Sequence, residues 1–122
     1  MMNNEFKIML YVKDVDAEKA FWQQLGFIIE NEQEVLGYPT FDMRVSEQSN
    51  CSFTVYSLSF IERYSPSIAT NQPNLLFTSS DIETIYQKVK KITNQVSDLN
   101  PLPFKNFNFQ SPSGHFYTIR ES

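Results

Sequence analysis

The chain has 122 residues, 41% of them hydrophobic, enough for one packed domain of ordinary size. Ten Lys and Arg against fourteen Asp and Glu give a net charge of -4 and a pI of about 4.9; the basic residues are scattered, so no nucleic-acid partner is expected. The apolar runs fall far short of the roughly twenty residues that span a bilayer, MMNNEFK lacks a secretion signal's apolar stretch, and a lone Cys51 excludes an internal disulfide, so a cytoplasmic protein without a membrane partner is expected.

Phe6 to Val12 is a near-continuous apolar strand, with Lys7, Met9 and Tyr11 on one face and Ile8, Leu10 and Val12 on the other. Asp14 or Asp16 suits the cap of a following helix. Ala17, Phe21 and Leu25, with Ala20 beside them, recur at four-residue spacing and predict the stripe that packs on the sheet. Gly26 closes that helix through a left-handed residue. Phe27 to Glu32, Thr40 to Ser46 and Cys51 to Leu58 read as three strands between polar or Gly/Pro turns. Ser59 to Pro73, with two prolines and the segment ATNQP, is the least regular part and reads as a linker.

The pattern then resumes. Asn74 to Thr78 is apolar enough for a strand, and Ser80-Asp81-Ile82-Glu83 fits a capping box. Ile82, Ile85, Tyr86, Val89 and Ile92 follow helical spacing, and Lys88, Lys90 and Lys91 lie near the helix end, where cations suit the dipole. Val96 to Ser97, Phe104 to Gln110 and His115 to Arg120 are further strands, the last two joined by Ser-Pro-Ser-Gly. The β-α-β-β-β order thus occurs twice, with Asp14 and Asp81 at corresponding strand-to-helix junctions. An α+β class follows: one domain, residues 1–122, with module one at about 4–58, a linker at about 59–73 and module two at about 74–122.

LYVKDVDAEKAFWQQLGF in the first half and FQSPSGHFYTIRES at the end resemble the vicinal oxygen chelate superfamily, which includes glyoxalase I, extradiol dioxygenases, fosfomycin-modifying enzymes and bleomycin-resistance proteins. The resemblance covers nearly the whole chain. It implies a glyoxalase/bleomycin-resistance-like fold, two modules whose curved mixed sheets form a cup, and a homodimer. It also implies metal ligands, typically His and Glu, near the start of the first strand and on the last strand of each module. Those positions hold Lys7, Asn74 and Thr118, and Cys51 to Leu58 contains no Asp, Glu or His. An ammonium, an amide and a hydroxyl do not make the roughly three donors of a catalytic divalent site, so no metal and no cofactor are expected.

Aromatic residues make up 15% of the chain, with eleven Phe and six Tyr, which suits a greasy cavity with sparse polar hooks. Alternation places Tyr11 and Phe41 with Met9 and Met43 on inward faces, joined by Phe107 and Phe109, and sets Thr118 and Arg120 opposite Tyr117 and Ile119. The candidate ligand-binding residues are therefore Lys7, Met9, Tyr11, Phe41, Met43, Asn74, Thr78, Phe107, Phe109, Thr118 and Arg120. The same rings equally suit the space between sheet and helix, and a one-residue slip would turn Phe41 and Met43 to the other face. Lys7 also reads as a strand-start lysine carrying its ammonium to solvent. His115 reads as a turn-edge surface residue, Cys51 as a half-buried strand residue, and no catalytic residue is nominated. The leading reading is metal-free binding or sequestration of an organic small molecule, aromatic or cationic, by a bleomycin-resistance-like homodimer. The alternatives are a divergent lyase, isomerase or dioxygenase-type enzyme of the same superfamily, and a non-catalytic regulatory or interaction module.

Overall fold

The first apolar run forms β1 (Lys7–Val12), and Asp14 caps α1 (Val15–Gln24), its carboxylate accepting the Ala17 amide at 3.0 Å. Gly26, at φ 97°, ends the helix in the left-handed conformation that costs glycine nothing. β2 (Ile28–Val35) and β3 (Tyr38–Arg44) form a hairpin whose two turn residues, Leu36 at φ 51° and Gly37 at φ 85°, both lie in the left-handed region that matches strand twist. β4 (Ser52–Ser57) then inserts between β1 and β3, parallel to the first and antiparallel to the second, giving the order β1-β4-β3-β2. All 122 residues are described in this computed structural model.

The chain divides into two compact units, Met1–Pro73 and Asn74–Ser122. In the first, α1 packs on β2, β3 and β4 through Val15, Glu18, Phe21, Trp22 and Leu25. The stripe is rotated from the one expected, with Ala20 exposed, because two large rings bury more apolar area than two alanines do. Glu18 is buried within the stripe and accepts a hydrogen bond from the Trp22 indole nitrogen at 3.1 Å. The expected linker is also corrected. Leu58–Tyr64 forms a helix, α2, followed by a 3-10 turn at Pro66–Ile68. LSFIERY has neither Gly nor Pro, and its buried Ile61 anchors the helix as it packs on β4 and β1.

The second unit comprises β5 (Leu76–Ser79), α3 (Ile82–Ile92), β6 (Asn106–Gln110) and β7 (Phe116–Glu121), with sheet order β5-β7-β6. Its helix cap lies one residue beyond the expected serine: Asp81 accepts the Thr84 amide at 3.4 Å, and Ser79 Oγ accepts the Asp81 amide at 3.0 Å. The strand expected at Val96 to Ser97 is reduced to one bridge, Val96 to Phe109, on the flank where the first sheet carries β2. The core comprises Ile82 and Val89 from α3 with Phe107, Phe109, Tyr117 and Ile119 from the sheet. Mixed α+β structure thus fills both units, and neither sheet closes on itself. No helix is long and apolar enough to cross a membrane.

Candidate functional site

Strand alternation assigns each side chain of the first sheet to a face. Phe41 and Met43 pair with Val55 and Phe53, all four buried, on the face covered by α1. The opposite face carries Lys7, Met9 and Tyr11 from β1, Thr54 and Tyr56 from β4, and Tyr38, Thr40, Asp42 and Arg44 from β3, as the pairs Met9–Thr54, Tyr11–Tyr56 and Asp42–Thr54 require. Glu30 of β2 lies across from Asp42. Beyond it the β2–β3 register shifts and Asn31 takes φ 51°, a left-handed conformation that Asn tolerates; this irregularity brings its amide to Asp42.

Asp42 is the centre of the polar half of this face, buried with only 7% exposure. Its Oδ2 accepts from Lys7 Nζ at 2.7 Å and from Asn31 Nδ2 at 2.8 Å, and its Oδ1 accepts from Thr54 Oγ1 at 2.7 Å. Burial pushes its carboxyl up, but the bonds from Lys7, Asn31 and Thr54 outweigh that and hold it below the ordinary aspartate value. The same hydrogen bond raises Lys7 and keeps it an ammonium. Alongside, Arg44 forks onto Glu30, Nε to Oε1 at 2.8 Å and Nη2 to Oε2 at 3.2 Å, and this bond draws the Glu30 carboxyl down. These two cations and two anions sum to zero charge.

The other half is aromatic. Phe60 of α2 lies nearly parallel to Tyr56, with centroids 5.5 Å apart, and tilts against Tyr38 at 5.6 Å and Tyr64 at 5.3 Å. Tyr11, Tyr56's cross-strand partner, is buried, and that desolvation raises its phenol. Met9, 37% exposed, lies between the aromatic and ionic halves. The arrangement offers a planar ligand an apolar, ring-lined surface and one half-exposed ammonium.

Lys7, Met9 and Tyr11 therefore share a face, whereas the expected grouping of Phe41 and Met43 with them is corrected. Both fill the core beneath α1, because Phe and Met are the apolar members of the alternating run Thr40-Phe41-Asp42-Met43-Arg44. The inward grouping of Phe107 and Phe109 is corrected likewise. Both are buried on the side of the second sheet that packs on α3, where Phe107 meets Tyr86 edge-on at 5.0 Å. Thr78, Thr118 and Arg120 share the opposite face of that sheet, through the pairs Leu76–Thr118 and Thr78–Arg120, and Asn74 is exposed ahead of β5. Asp42, Asn31, Thr54, Tyr56 and Phe60 were missed. The signal for Asp42 and Thr54 was the polar parity of T-F-D-M-R and S-F-T-V-Y-S; nothing local marked Asn31 or Phe60.

No three His, Cys, Asp or Glu side chains converge anywhere to form a metal-ligand group. At the position where a metal-binding histidine was implied, Lys7 is a protonated ammonium with no lone pair to donate, and its partner Asp42 is already engaged by three donors. The donor set does not fit a divalent ion.

Neither a protein-family profile nor a curated protein sequence matches the chain. Solved structures match its fold along almost its whole length. The antibiotic-binding protein TnmS3 from Streptomyces sp. CB03234 superposes with a TM-score of 0.70 at 14% identity, covering 99% of this chain and 98% of that one. This chain has a glyoxalase/bleomycin-resistance-like fold. The fosfomycin resistance protein FosX from Listeria monocytogenes shares that fold with a TM-score of 0.72 at 13% identity, over 100% of this chain and 95% of its own. A bleomycin-binding protein complexed with bleomycin shares it with a TM-score of 0.61 at 14% identity, over 98% of this chain and 99% of its own. The same fold thus carries binding proteins and a resistance protein, and the side chains on it decide between chemistries.

Proposed function

We propose that the protein binds and sequesters an organic small molecule without transforming it, using the face of the first sheet opposite α1. The observation that carries this reading is the pairing of an ion-paired Lys7–Asp42 group with a ring cluster on one sheet face. Rings provide stacking area at low entropic cost, and a single positioned ammonium orients the ligand. Lys7 at the metal position supports a metal-free site, since a raised pKa leaves it charged and unable to coordinate. The antibiotic-binding and bleomycin-binding neighbours support the same class of ligand. A homodimer, as the superfamily resemblance implies, completes the proposal.

The test is a thermal-shift screen of the purified protein with bleomycin, fosfomycin and planar aromatic metabolites, followed by recovery of each stabilising compound for mass determination. A ligand present at about a hundred times its Kd stabilises by roughly 2.7 kcal/mol. The expected result is a midpoint raised in wild type, lost in Phe60→Ala, with the compound recovered intact. Recovery of a chemically altered compound, or a stoichiometric divalent metal by native mass spectrometry, overturns the reading in favour of an enzyme. Native mass spectrometry also checks the dimer.

A further inference from the structure

Arg120 is the only arginine of the second unit, and its guanidinium makes no hydrogen bond and no ion pair. The other arginine that lies on a sheet face, Arg44, is fully engaged by Glu30, Ser46 and Glu47. Arg120 instead lies over the Phe104 ring, its guanidinium carbon 4.7 Å from the centroid, and its Nε–H is shielded from solvent without an acceptor. A buried donor left unpaired is costly, so stacking rather than hydrogen bonding fixes this side chain. Asn106, Arg120's cross-strand partner, donates from Nδ2 to the Phe104 carbonyl at 2.6 Å and to the Leu102 carbonyl at 3.3 Å, which holds the loop that carries the ring. Thr78, across the other strand boundary, is exposed and its hydroxyl is uncommitted. No carboxylate is spent on the guanidinium, although acidic residues exceed basic ones in the chain.

We propose that Arg120 is an anion-recognition group that takes the carboxylate of an organic ligand end-on through Nη1 and Nη2, with the Thr78 hydroxyl as a neighbouring donor. A guanidinium that lies over a ring and has no hydrogen-bond partner keeps Nη1 and Nη2 for the fork that a planar two-oxygen acceptor matches, which a lysine ammonium does not reproduce. The site lies wholly within the second unit and stands independently of the binding role proposed for the first sheet.

The experiment is a titration of the 15N-labelled full chain with sodium benzoate at constant ionic strength, reading the Nε–Hε signal of Arg120. That signal is assigned by its absence from Arg120→Lys. The expected result is a saturable shift confined to Arg120, with affinity about tenfold weaker in Arg120→Lys, followed by backbone amides of Thr78 and Asn106. Phe104→Ala is expected to weaken binding several-fold while leaving the charge in place. Absence of a saturable shift in every one of the three arginine Nε–Hε signals of wild type overturns the proposal, and that measurement holds whether or not a variant folds. Equal benzoate affinity in Arg120→Lys overturns the fork. Parallel titrations with inorganic phosphate and with chloride discriminate the anion: tighter phosphate binding overturns the carboxylate assignment, and equal shifts by all three overturn a specific site.

Discussion

Replacing Asp42 by Asn keeps the side chain's size and removes the charge around which three strands converge. The Thr54 bond, partly buried and made to a charged acceptor, contributes about 1.5 kcal/mol. The Lys7 side chain is 36% exposed, so its ion pair is screened and contributes under about 1 kcal/mol. Asn31, an exposed residue whose bond is partly buried, adds less than about 1 kcal/mol. Removing a desolvated charge offsets part of this, leaving a net loss of about 2 kcal/mol, read in urea as a lower midpoint with an unchanged slope. The pH dependence follows from the direction of the shift. Because the folded pKa of Asp42 lies below its unfolded value, near 3.9, the difference between wild type and Asp42→Asn is complete above that pH and shrinks as the pH falls through the folded value. A difference that persists unchanged into acid, or an Asp42→Asn protein as stable as wild type at neutral pH, refutes the argument that this carboxylate is held by charged and hydroxyl donors.

Lys7→Ala should lose under about 1 kcal/mol at neutral pH, and its raised pKa means that this difference fades as alkali passes through the folded lysine value; paired urea melts at neutral and high pH check it. Phe107→Ala, which empties a site with 0% exposure beneath α3, should cost about 3–5 kcal/mol by the same measurement, whereas an exposed pocket ring would cost far less. Asp14→Ala should cost about 1 kcal/mol and fray the first turn of α1, visible as lost amide-exchange protection at Ala17. Glu18→Ala, by stranding the Trp22 indole N–H in the core, should destabilise by about 1–3 kcal/mol, while Glu18→Gln, which keeps an acceptor, should recover most of that loss by thermal denaturation.

Local sequence determined the element types along most of the chain. Apolar alternation marks the strands, aspartate caps α1 and α3 as Asp14 and Asp81, and Gly26 stops α1, each through interactions within a few residues. Single-residue parity and spacing are weaker signals. The stripe of α1 turned toward Phe21 and Trp22, and Phe41 and Met43 faced the core, because burial of the largest side chains overrides any one register read from spacing. The segment from Leu58 to Tyr64 became a helix because Ile61 and Phe60 had partners on β4, β1 and β3 that no local pattern displays. Only tertiary structure joined Lys7, Asn31, Asp42 and Thr54, residues from four strands, around one carboxylate, and left Arg120 stacked and unpaired. The sequence by itself specified most of the elements and withheld a histidine at position 7; which partners surround Lys7 and Arg120 was decided by strand register, since hydrogen bonds between distant residues exist only once the sheet is formed.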